Sequence, residues 1–71
     1  MKLPRDISGR ELVKALVRLG FVVERQTGSH VQLSDPHHHV TVPMHNPVRT
    51  GTLKNILRQA GLTIEQLDKT L

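Results

Sequence analysis

Between Gly20 and Pro43 the sequence carries three short β-type runs, parted by intervals long enough only for turns. Phe21 to Gln26 is β-branched and aromatic, His30 to Leu33 alternates, and His39 to Val42 alternates again. Thr27-Gly28-Ser29 separates the first pair and Asp35-Pro36-His37-His38 the second, so an antiparallel three-stranded meander is expected. Pro43 and Pro47 bracket an irregular stretch, Met44-His45-Asn46, that closes the sheet region.

Helical signals flank these runs. Ser8-Gly9-Arg10-Glu11 fits a capping box, in which hydroxyl and carboxylate each satisfy an orphan N–H. Leu12, Val13, Leu16 and Leu19 follow at helical spacing and Gly20 supplies the stop. After the runs, a helix starting near Thr50-Gly51-Thr52 would bury Leu53, Ile56, Leu57 and Ala60 and end at Gly61. Thr63-Ile64-Glu65-Gln66 is a second capping box, opening a short terminal helix with Ile64, Leu67 and Leu71 as core contacts. The order α-β-β-β-α with a helical tail predicts an α+β fold of two layers, with both helices on one sheet face and the other face open.

At 71 residues the chain is one domain, and such a domain buries only roughly 60% of its unfolded surface. That weighs against flavin, haem and dinucleotide enzymes, and no cofactor is expected. There is no cysteine, so disulfide frameworks, thiol catalysis and Cys-containing zinc sites fall away, and a reducing compartment, the cytoplasm, is the default expectation. No apolar run approaches the ~20 residues that span a bilayer, and Met1-Lys2-Leu3-Pro4-Arg5-Asp6 lacks a signal-peptide core. Phe21 is the sole aromatic residue, which leaves almost nothing on which to stack unpaired bases.

Ten Lys and Arg against six Asp and Glu give a net charge of +4, which points to phosphate-bearing partners. Arg10, Lys14 and Arg18 fall four apart, a basic stripe on the first helix. Between Asp35 and Glu65 there is no acidic side chain, and Arg49, Lys54 and Arg58 lie in that interval. With Arg25 these cations could track a phosphate backbone, although basic stripes are often merely solvated helix faces.

His30 is the most informative position. Val31 and Leu33 must point toward the helices, so alternation places His30 and Gln32 on the open face. An exposed imidazole can carry protons near neutral pH, and the plain alternative is a solvated surface histidine. Ser29 and His30 point to opposite faces and cannot form a nucleophile–base pair. His37-His38-His39 is read as a polar hairpin tip, because adjacent residues point apart and no cysteine completes a tetrahedral site. His45 could lie near the end of the sheet and work with His30, but the sequence does not place it.

The residues then match a known pattern. Ser8-Gly9-Arg10-Glu11-Leu12, Gly20-Phe21 and Arg25-Gln26-Thr27-Gly28-Ser29-His30 resemble the HicA-type mRNA interferase toxins. So do Val40-Thr41-Val42-Pro43-Met44-His45 and the run from Gly51 through Leu53, Ile56 and Leu57 to Gln59-Ala60-Gly61-Leu62. The likeness covers nearly the whole chain in order, and departs at Pro36-His37-His38-His39, where the family often carries Gly and basic residues. It implies a fold like double-stranded-RNA-binding domains, ribosome-independent cleavage of mRNA, and neutralisation by a cognate HicB antitoxin that covers the active site. The catalytic histidine it implies is the one in G-S-H, here His30.

RNA supplies its own nucleophile, so one imidazole and several cations suffice to break a phosphodiester. The sequence has no carboxylate cluster suited to two magnesium ions, and metal-independent cleavage is the expectation. Arg10, Lys14, Arg25, Gly28, Ser29, Arg49, Lys54 and Arg58 are the expected RNA-binding residues, with no metal ligands. Two rival readings are a non-catalytic RNA-binding module and a small adaptor that docks an acidic protein.

Overall fold

A computed structural model describes residues 7–71; Met1–Asp6, read above for a signal-peptide core, lie outside the described residues. The elements run α1 (Gly9–Arg18), β1 (Val22–Thr27), β2 (His30–Ser34), β3 (His39–Pro43), α2 (Thr50–Ala60) and α3 (Ile64–Asp68). The sheet is an open antiparallel meander in the order β1-β2-β3. This is the two-layer α+β fold, like double-stranded-RNA-binding domains, that the sequence predicts.

Local chemistry sets the element ends. Ser8 Oγ accepts from the Glu11 N–H at 3.1 Å while Glu11 Oε1 accepts from the Ser8 N–H at 3.2 Å, so the capping box of α1 is complete. Thr63 and Gln66 repeat the arrangement at α3, at 3.2 and 2.8 Å. Gly61 caps α2 in the left-handed region, φ 67°, where a side chain is unfavourable; the Leu62 N–H then reaches back to the Leu57 carbonyl at 3.0 Å. Gly28, with φ 60°, makes the two-residue turn between Thr27 and His30.

Register fixes the faces. Val31 pairs with Val42 and Leu33 with Val40, and all four are buried. They meet Leu12, Ala15 and Leu16 of α1, Leu53, Ile56, Leu57 and Ala60 of α2, and Ile7, Phe21, Val48 and Leu67 from outside the sheet. His30 pairs with Pro43 and Gln32 with Thr41, so the period of two turns these side chains to the other face. Among the described residues no polar or charged side chain is buried.

Two expectations need correction, and the edge strand adds a further observation. Phe21 precedes β1 rather than opening it; it is buried, and its N–H donates to the Leu16 carbonyl at 3.0 Å. Leu71 is 49% exposed instead of joining the core. β1 is exposed along its whole length, Val22 and Val23 included, because it is the sheet edge that the helices do not cover, and a bulge between Val23 and Arg25 breaks its alternation.

Candidate active site

A cleft of about 520 Å³ lies between β3 and the flank of α2. Its sheet wall is His30, Thr41 and Pro43; its helix wall is Thr52, Asn55, Ile56 and Gln59; His45 and Arg49 complete it. Thr52, Asn55, Ile56 and Gln59 are spaced i, i+3, i+4 and i+7, which puts them on one face of α2. His30, His45 and Arg49 are all exposed to solvent.

The backbone locks the two histidines into register. The Met44 N–H donates to the Ser29 carbonyl at 2.6 Å, joining the residues that immediately precede His45 and His30. The Gly9 N–H donates to the His45 carbonyl at 2.8 Å, so the start of α1 holds the same loop from the other side. Gly9 is required there: a Cβ would run into the Pro43 carbonyl oxygen and stand 2.8 Å from Met44 Cα.

Two smaller depressions adjoin the cleft. Thr41 is shared with one lined by Glu24, Arg25, Gln32 and His39, where Arg25 Nε donates to Gln32 Oε1 at 3.2 Å. His45 is shared with the other, lined by Ser8, Arg10, Met44 and Asn46. The polar trough thus runs from Arg25 past His30 and His45 to Arg10.

The structure divides the cations that the sequence groups together. Arg49 stands in the cleft with His30, and its side chain makes no capping hydrogen bond to α2. Arg25 and Arg10 flank the cleft, and Gly28 and Ser29 form the turn that presents His30. Lys54 and Arg58 are exposed, but at about 100° per residue they sit across the buried stripe of α2 from Asn55 and Gln59. Lys14 lines a separate hollow with Glu11, Arg18, Thr70 and Leu71, where Arg18 Nη1 donates to the Thr70 carbonyl at 2.9 Å. Thr41, Thr52, Asn55 and Gln59 were not singled out in the sequence; the polar i, i+3, i+7 row beside the apolar stripe of α2 was the available signal.

The histidine run does not behave as one tip. His38 is half-buried, with Nδ1 3.0 Å from Asp35 Oδ1 and its ring 6.4 Å from that of Phe21. It also lies under Gly61, where a Cβ would come 2.7 Å from Nε2, so this imidazole docks the hairpin onto the end of α2. Partial burial opposes ionisation of Asp35, but the His37 N–H, the His38 ring and the His38 N–H all donate to it. Together with the His38 charge they hold its carboxyl below the ordinary carboxylate value. Among the described residues no group of three or more His, Asp or Glu is placed to hold a metal ion, and no helix is long and apolar enough to cross a membrane.

Comparison with curated proteins gives no match. The family model described as "HicA toxin of bacterial toxin-antitoxin" matches residues 9–62, from the first residue of α1 to the residue after the cap of α2. That span holds the whole sheet and every described residue lining the cleft, and the chain belongs to the HicA toxin family.

Proposed function

We propose that this protein is the toxin of a type II toxin–antitoxin pair and cleaves mRNA in the cytoplasm without a metal, with His30 as general acid or base. Membership in the HicA family supports a toxin role. The observation that carries the catalytic reading is the cleft, where an exposed imidazole on the sheet shares one cavity with the Arg49 guanidinium.

The chemistry follows from the substrate. The ribose 2′-oxygen attacks the adjacent phosphorus, the bond from phosphorus to the 5′-oxygen breaks, and a 2′,3′-cyclic phosphate and a 5′-hydroxyl result. The 2′-OH proton must leave and the departing 5′-oxygen must gain one; His30 serves one of these transfers. Arg49, which lines the cleft, would stabilise negative charge on the phosphorane, and Arg25 and Arg10, which line the adjoining depressions, would hold phosphates on either side. A HicB-type antitoxin would neutralise the protein by covering this trough.

The test is RNA cleavage in EDTA by the native chain and by His30→Ala. A positioned proton-transfer group contributes roughly 10²–10⁴-fold, so the variant should be all but silent on a gel. Undiminished cleavage by the variant would remove His30 from the chemistry, and a metal requirement would remove the metal-free route. Salt-sensitive RNA binding by the native chain with no cleavage would make it a binding module.

A further inference from the structure

We infer that His45 is the second proton-transfer group, working with His30 across the same cleft, an inference that rests on the ribonuclease reading above. Two transfers are needed in the one step. In-line displacement puts the attacking 2′-oxygen and the departing 5′-oxygen on opposite sides of phosphorus, so one imidazole cannot serve both at once. The second group must therefore enter the cleft from a different element than His30.

Among the described residues lining the cleft, His45 alone meets that condition. The other members are Thr41, Pro43, Arg49, Thr52, Asn55, Ile56 and Gln59, none of which exchanges protons readily near neutral pH. Among the described residues no carboxylate lines the cleft or its Arg10 side. His30 opens β2, whereas His45 follows β3, so the two rings come from separate segments.

Their mutual placement is fixed rather than fortuitous. Each histidine is one residue from the Met44 N–H to Ser29 carbonyl bond, and consecutive Cα atoms are about 3.8 Å apart. The bond from the Gly9 N–H to the His45 carbonyl stops the loop from swinging away. Such constraint is what acid–base catalysis by two groups requires, since both must be in position at the same instant.

Substitution of the leaving atom tests this directly. An RNA oligonucleotide is made with sulfur in place of the bridging 5′-oxygen at one mapped cleavage position. A thiol loses its proton at about 8.5, far more readily than the alcohol it replaces, so a thiolate departs without a general acid. On natural RNA, His30→Ala and His45→Ala should each lose roughly 10²–10⁴-fold. On the sulfur substrate one of the two variants should return to near the native rate and the other should stay impaired. That pattern assigns acid and base.

Cleavage of natural RNA by His45→Ala at close to the native rate would overturn the inference, as would recovery of both variants or of neither. His45→Asn, with circular dichroism on each variant, separates loss of the imidazole from loss of fold. If the native chain cleaves neither substrate, the ribonuclease reading itself fails. If it cleaves both and His45→Ala is unimpaired, only the role of His45 fails.

Discussion

The same substitution, glycine to alanine, should have opposite effects in the two long helices. At Gly9 the new methyl would meet backbone alone: the Pro43 carbonyl oxygen, Met44 Cα at 2.8 Å and the Pro43 carbonyl carbon at 3.1 Å. Backbone cannot rotate aside as a side chain can, so α1 and the 43–45 segment must separate. Overpacking of this kind costs about 1–3 kcal/mol. Separation also stretches the bond from the Gly9 N–H to the His45 carbonyl, which contributes about 0.5–1.5 kcal/mol. Against this stands a gain of at most about 1 kcal/mol in helix propensity. With the full propensity gain the net is a loss of about 0.5–3.5 kcal/mol, and each kcal/mol lowers the melting temperature of so small a domain by about 4–8 °C.

At Gly51, in the first turn of α2, an added Cβ meets nothing within 4 Å. Gly51→Ala should stabilise by about 0.4–1 kcal/mol through the unfolded chain. Thermal and urea unfolding of the two variants, side by side with the native chain, measure both signs. A Gly9→Ala protein that melts at or above the native temperature would refute the close approach of α1 to the Pro43–Met44 backbone.

Because the folded carboxyl of Asp35 is lowered, its stabilisation is in place above the ordinary carboxylate value of about 3.9 and is lost as pH falls through the folded value. Asp35→Asn should therefore be less stable than native at pH 7, and the gap in urea midpoint should narrow at pH 3; a constant gap would contradict this. Arg49→Ala should depress RNA cleavage far more than Lys54→Ala, since Arg49 lines the cleft and Lys54 faces away from it; equal losses in a cleavage assay would count against the cleft as the site. Gly61→Ala should cost about 1–2 kcal/mol from its left-handed backbone, and the further clash with the His38 ring should vanish in a His38→Ala background, read as non-additive urea midpoints.

Element order was legible because each boundary has local chemistry. The Ser8–Glu11 and Thr63–Gln66 boxes, the Gly28 turn and the Gly61 cap depend on neighbours a few residues away, and all form as written. The outward direction of His30 was legible for a similar reason, since Val31 and Leu33 alternate against it. What escaped depends on contacts distant in sequence. Nothing near Val22 and Val23 reveals that β1 lies at the uncovered edge, and nothing near His38 reveals Gly61 above its ring. Charge alone does not show which cations share the cleft. Arg49, Lys54 and Arg58 read as one basic group, but only Arg49 reaches the cleft, because helical rotation turns the other two aside.

The sheet has one side that holds the molecule together and one that meets solvent. His30, Gln32 and Thr41 contribute no side chain to the packed layer between sheet and helices, so replacing any of them leaves every buried methyl in place. On the role proposed for His30, loss of chemistry would thus be uncoupled from loss of shape. A lineage under pressure to disarm such a chain could do so in one codon and keep an intact, folded product, one that an inhibitor fitted to its contours would still recognise.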